Sequence, residues 1–339
     1  MVLSSLTMAA WLAKPIIGYI IDNSLNKKIW IILASILSIS AVILLGTIQF
    51  SIPALIILLL MHSTYAAFRD VAVDGIMCVE GKKANATGKI QSVQWIAINV
   101  AIILVGIGGG FLAQKAGYKL GFLCLAPVYL LIIFAALKYN QGKAERKIKS
   151  SLSGDLKKIF TDKNMLVAAL FIFLYKYSPS FGTPLFFIQR DDFGWGKIWI
   201  GALSTISTVF GIAGSLCYYK ISSRINLKKW LYWSVFLGAI TTLSYLYYTP
   251  LTAVIYDIIY SFMGMFIFLM LMDFMARNSA EGLEATSFAF LCSISNFALI
   301  SSNLSGAFFL PKLGLSWLII ISSLTSFLCL PLIKHLKDK

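Results

Sequence analysis

The chain has 339 residues, of which 59% are hydrophobic and only 13% charged, with a mean hydropathy of +0.83. Soluble domains carry about 25% charged residues, so this composition excludes a water-exposed globule, a disordered chain, a nucleic-acid-binding domain and a disulfide-stapled secreted fold. It implies an integral membrane protein, whose formal charge of +15 belongs in loops rather than against an acidic partner.

Apolar runs between charged or Pro/Gly breaks predict eleven membrane-spanning helices, near residues 2–21, 29–48, 52–80, 89–112, 119–137, 164–188, 197–219, 230–248, 251–276, 285–310 and 314–333. Each approaches the roughly 20 residues that a bilayer crossing requires. The one long polar gap divides them, so 1–137 reads as an N-terminal half of five spans, 138–163 as a basic linker and 164–339 as a C-terminal half of six. The expected fold class is an all-α membrane protein, a two-halved helix bundle.

With the first helix running inward, one set of loops holds Lys27, Lys28, Lys82, Lys83, Lys89, the whole basic linker, Lys220 to Lys229, Arg277 and the C-terminal lysines. The opposite loops hold only Lys115, Lys119, Arg190, Lys197 and Lys312. Basic loops stay cytoplasmic, which predicts the orientation.

Charged side chains within spans cost about 2.5–3.5 kcal/mol at mid-depth, so each needs a reason. Lys14 lies in the first span and Lys176 in the sixth, one in each half; they read either as cations for an anionic solute or as snorkelling side chains. Asp22 with Lys27 and Lys28 reads as a conformational lock. Asp70 and Asp74 stack one helical turn apart, either sharing a proton, because two adjacent carboxylates resist joint ionisation, or closing a gate with Arg69 or the basic loops. Pro179, Gly182 and Pro184 break the sixth span, with Phe186 and Phe187 beyond, and a broken helix frees backbone groups for a ligand or hinge.

Asp273 and Arg277, four residues apart, read as a self-satisfied helix pair. Gly106-Ile107-Gly108-Gly109-Gly110 lies inside an apolar helix and reads as a packing face rather than a nucleotide loop, and Ser302 and Gly306 repeat such small-residue spacing. The five cysteines and two histidines show no metal or triad spacing, so no metal and no cofactor are expected.

An internal repeat is visible. Glu80-Gly81 and Ala86-Thr87, after a helix with Asp70 and Asp74, match Glu281-Gly282 and Ala285-Thr286, after a helix with Asp273; Lys27-Lys28 before Trp30 matches Lys228-Lys229 before Trp230. Two six-helix copies would explain this, as in the major-facilitator architecture. The first helix of twelve would then fall before Met1, unless eleven helices are the natural state.

Trp11-Leu12-Ala13-Lys14-Pro15, continuing to Gly18 and Asp22, resembles a helix motif of the folate-biopterin transporter family within the major facilitator superfamily. Asp70 to Asp74 with Glu80 and Gln91-Ser92, Pro179 to Pro184 with Phe186-Phe187, and Glu281 to Thr286 resemble further motifs of that family, in order along the whole chain. Glu281 departs from the proline frequent at its position. The resemblance implies alternating-access movement of a folate- or pterin-like anion driven by protons, by a monomer in the bilayer. It also makes Lys14, Lys176, Pro179 and Phe186 substrate-binding candidates, and Asp22, Asp70, Asp74, Glu80 and Glu284 candidates for proton coupling or gating. The alternatives are a muropeptide or other solute carrier, a degenerate non-transporting paralogue, and a membrane-embedded enzyme, for which no nucleophile-base constellation is visible.

Overall fold

The computed structural model describes residues 11, 13–49, 51–140 and 161–336, and their regular structure is entirely helical. In chain order the helices are α1 (Lys14–Asn23), α2 (Lys27–Thr47), α3 (Ile52–Lys83), α4 (Thr87–Leu123), α5 (Leu125–Lys138), α6 (Lys163–Lys176) and α7 (Gly182–Phe187). There follow a π turn at Ile188–Asp192, then α8 (Lys197–Ile221), α9 (Leu227–Ser244), α10 (Pro250–Asn278), α11 (Glu284–Ser326), a 3-10 turn at Phe327–Cys329 and α12 (Leu330–Ile333). The start of the first predicted span and most of the predicted linker lie outside the described residues.

Among the described residues seven segments are long and apolar enough to cross a membrane: Lys27–Thr47, Ile52–Lys83, Thr87–Gly106, Lys119–Lys138, Ile198–Ile221, Pro250–Asn278 and Glu284–Ile333. The last, at 50 residues, has the length of two crossings. Helices prevail because lipid offers backbone N–H and C=O groups no partner, so each must be satisfied within its own segment. The surface suits lipid: Ile52, Leu130, Ile198 and Leu251 are exposed, while Ser35, Ser38, Ser215 and Ser279 are fully buried. This is a multi-pass, all-helical membrane protein, as its composition predicts.

Two of the predicted boundaries between spans fall at kinks inside continuous helices. Gly117 (φ 75°) interrupts α4 and Gly314 (φ 77°) interrupts α11. An added Cβ would meet nothing within 4 Å at either place; what calls for glycine is the left-handed backbone, which side chains with a Cβ rarely adopt. The two kinks fall at similar but not identical distances beyond the matched Thr87 and Thr286.

The chain forms two compact units, the first comprising Met1–Glu80, Leu104–Ile159 and Ser279–Ser293, the second Gly81–Ile103, Phe160–Asn278 and Ile294–Lys339. The units are therefore not coextensive with the predicted halves: the beginning of α4 is grouped with the second unit, and the beginning of α11 with the first. In the first unit Ile17, Ile21, Ile31, Val71, Ala72, Ala285 and Ala289 form a core, and Trp30 stacks on Phe68 at 4.9 Å. In the second unit α8 and α10 pack together, closely enough that a Cβ on Gly214 would strike the Phe262 carbonyl.

The sixth predicted span, 164–188, is broken after Lys176, and α11 supplies what the break leaves unpaired. The Ser178 N–H donates to Ser302 Oγ (3.0 Å), the Ser180 N–H to the Ser302 carbonyl (2.9 Å), and Ser322 Oγ donates to the Pro179 carbonyl (2.8 Å). The Ser178 and Ser322 hydroxyls also bond to each other. Orphaned backbone groups in hydrocarbon are costly, so these serines make the break tolerable. Gly306 lies so close that a Cβ there would enter the Ser180 backbone. Gly306→Val should therefore destabilise by about 1–3 kcal/mol, the usual cost of overpacking, read as a lowered midpoint in detergent titration. Gly238→Ala, where the space is open, is the neutral control.

Candidate functional site

Each unit holds its own cluster of charged groups. In the first, Asp22 near the end of α1 has a fully buried carboxylate. Lys27 at the start of α2 pairs with it at 2.8 Å. The Thr286 N–H and hydroxyl both donate to its Oδ2 at 2.8 Å, and the Ala285 N–H reaches its Oδ1 at 3.4 Å. Asp22 thus caps the first turn of α11, where free N–H groups and the helix dipole favour an anion. Close approach is possible because Gly18 lacks a Cβ, which would stand 2.8 Å from the Ala285 carbonyl oxygen. Glu284, the first residue of α11, is itself buried. The Lys28 ammonium donates to the carbonyls of Leu137 and Tyr139, both at 2.8 Å.

In the same unit, Lys14 donates to Asp70 at 2.6 Å, with side-chain exposures of 10% and 30%, and its ammonium lies 4.6 Å from the Trp11 ring centre. The cation expected to meet substrate therefore already has a carboxylate partner. Asp74, one turn further along α3, is buried. Arg69 donates to Ser38 Oγ (3.1 Å) and stacks on the Tyr129 ring, whose hydroxyl bonds to His62 (2.8 Å).

Glu80 accepts a hydrogen bond from the Tyr139 hydroxyl at 3.0 Å, tying α3 to the residue that follows α5. Burial and that carboxylate push the Tyr139 phenol up to about 12 from 10.0. A raised folded-state value means that stability from this group is complete below pH 10 and is lost as pH rises from 10 to about 12. The phenolate absorbance difference between the unaltered protein and Tyr139→Phe should rise late in this window; a difference centred on 10 would contradict the placement.

In the second unit Asp273 on α10 is 0% exposed and accepts four hydrogen bonds from three residues. Arg277 donates to both of its oxygens (3.0 and 2.9 Å), the Tyr218 hydroxyl to Oδ2 (2.8 Å) and the Thr87 hydroxyl to Oδ1. The expected Asp273–Arg277 pair is present, and it holds more than itself, because Thr87 begins α4. Gly88 permits the approach: a Cβ there would lie 2.8 Å from Asp273 Oδ2. The repeat thus recurs as chemistry, with a buried carboxylate holding a threonine in the first turn of α11 in one unit and of α4 in the other.

Lys176 ends α6. Among the described residues it has no ion pair, and its ammonium stands 5.2 Å from the Phe268 ring centre. Its tyrosine neighbours are engaged elsewhere, Tyr175 with Ser234 (2.7 Å) and Tyr177 with Ser305 (3.0 Å). Pro179 belongs to the break described above. Phe186 is 44% exposed, with its ring against Phe187.

Phe268 also lines an open pocket of about 350 Å³ between α4, α8 and α10, together with Asn99, Ser204, Ser207, Thr208 and Ser261. Trp95 meets Phe268 edge-on at 4.5 Å, and Asn99 donates to the Trp95 carbonyl at 2.8 Å. Sequence reasoning missed this group because neutral polar residues in an apolar helix carry no charge signal. Recurring serines in α8 were the only hint. No group of three His, Cys, Asp or Glu that could hold a metal occurs among the described residues.

The family model of the Major Facilitator Superfamily matches residues 1–293. The folate-biopterin transporter of Synechocystis is 25% identical over 358 aligned residues, which cover 97% of this chain and 72% of that protein. Folate transporter 1 of Plasmodium falciparum is 23% identical over 310, covering 86% of this chain and 60% of that one. Among solved structures, the Escherichia coli fucose:proton symporter superposes with a TM-score of 0.77 at 13% identity, covering 100% of this chain and 92% of its own. The human organic anion transporter MFSD10 gives 0.72 at 15% identity, with 98% and 82% covered. At these identities the structures show the shared fold alone; the two curated relatives bear out the resemblance read in the motifs.

Proposed function

The chain belongs to the major facilitator superfamily and is a secondary transporter, and on that premise we propose that it carries a folate- or pterin-like organic anion by alternating access, coupled to protons. The observation that carries the anion reading is Lys176, a cation within the apolar bundle whose charge no described carboxylate balances and which faces an aromatic ring. A substrate carboxylate would supply the missing partner through a charge-assisted hydrogen bond. The relatives named for folate favour the same substrate class.

Coupling falls to the first unit. Protonation of Asp70 would dissolve its pair with Lys14, leaving an ammonium that must find another partner, so the proton and the conformation of α1 against α3 are linked. Asp22 and Glu80 hold neighbouring helix ends and serve as gating contacts, and Asp74 and Glu284 complete the acidic set. The basic loops are proposed to face the cytoplasm.

Reconstitution into liposomes tests the reading. Labelled folate should accumulate when an inward proton gradient is imposed, and collapse of the gradient should end accumulation while exchange persists. Uptake of a muropeptide in place of folate or pterin would replace the substrate assignment, and the absence of any solute movement would favour a non-transporting paralogue.

A further inference from the structure

The cavity beside Phe268 has no role in the reading above. It lies wholly within the second unit, and its size falls at the lower end of the roughly 300–1,000 Å³ found for small-molecule pockets. None of the residues that line it is charged. Asn99 is 6% exposed; one of its amide hydrogens goes to Trp95, leaving one N–H and the carbonyl oxygen for another partner. The Thr208 hydroxyl donates to the Ser204 carbonyl (2.9 Å) and the Ser207 hydroxyl to the Asp257 carbonyl (3.5 Å), so both present oxygen lone pairs that remain free to accept. Gly264 of α10 stands at the wall, where an added Cβ would meet nothing within 4 Å.

We propose that this cavity is a subsite for the flat, uncharged heteroaromatic part of the substrate, with Phe268 as the wall shared with Lys176. The inference deepens the folate reading and rests on it. A carboxamide offering one donor and one acceptor matches the lactam edge of a heteroaromatic ring, while the ring's faces need apolar contact of the kind that Phe268 supplies. A charged ring would be left without a counter-ion here and would bind poorly. Phe268 links the two environments: the cavity receives the neutral ring, and the ammonium over the same phenylalanine receives the carboxylate.

Fragments separate the two environments. Purified protein is titrated with folic acid, with uncharged pterin and with p-aminobenzoyl-glutamate, using Trp95 fluorescence and calorimetry. Gly264→Leu, at a wall position where an added Cβ meets nothing within 4 Å, places a bulky side chain at the cavity and should weaken pterin and folic acid at least tenfold while leaving p-aminobenzoyl-glutamate unchanged. Asn99→Leu, a second variant of similar volume, should do the same. Lys176→Met should show the converse, sparing pterin. Pterin binding that survives both cavity variants would overturn the subsite while leaving folate transport standing. So would a neutral monosaccharide that displaces pterin from it. If the unaltered protein binds neither folic acid nor pterin, the functional reading fails and the subsite with it.

Discussion

Asp273→Ala should lower stability by about 3–5 kcal/mol, the cost of removing one partner of a buried ion pair. The carboxylate has no exposed surface, and its loss strands the Arg277 guanidinium together with the Tyr218 and Thr87 hydroxyls. A detergent-unfolding titration reads the loss directly. Because the damage comes mainly from the orphaned cation, Asp273→Ala combined with Arg277→Met should recover a large part of it, giving a coupling well above the few tenths of a kcal/mol seen for independent sites. Hydrogen exchange should rise at the beginning of α4 in the single variant, since Thr87 is what the carboxylate holds. An unchanged midpoint in Asp273→Ala would show that the four contacts contribute nothing to the fold.

Lys14→Met should abolish proton-driven accumulation, taking the concentration ratio toward one, while exchange of substrate across the membrane persists. At 2.6 Å the Lys14–Asp70 pair is a charge-assisted contact within the span, and its two states, ionised and protonated, are what a proton gradient could distinguish. Without the ammonium, protonation of Asp70 no longer makes or breaks a contact between α1 and α3. The double variant Lys14→Met, Asp70→Asn should regain folding yield because no lone charge remains, yet should still fail to accumulate substrate. Normal accumulation with a normal pH dependence in either variant would assign the pair to structure alone. Equal loss of binding for folic acid and pterin in Lys14→Met would likewise place Lys14 outside the substrate site.

Much of the molecule was legible from local pattern. Apolar runs located the helices because a crossing needs a fixed length of residues that hide their backbone from lipid. Residues four apart share a helix face, which revealed the Asp273–Arg277 pair without a structure. The repeat in Glu80 to Thr87 and Glu281 to Thr286 was visible as letters, and the family motifs lie on those same helices.

What the letters could not supply was which distant helix each charged group meets. Lys14 and Asp70 are 56 positions apart, Thr87 and Asp273 186, and Asp22 and Thr286 264. Seen alone, Lys14 reads as a cation awaiting an anion; the packing of α1 on α3 gives it Asp70. The break at Ser178–Ser180 was legible from Pro179, but its repair by Ser302 and Ser322 was not, and Gly306 read as generic small-residue packing until the Ser180 backbone was found against it. The Asn99 cavity needed three helices to come together. Hydropathy and helical period act along one segment, so the sequence by itself determined the membrane class, the spans and the repeat. Partner choice and cavity shape depend on how separate segments pack, and only the tertiary structure decided those.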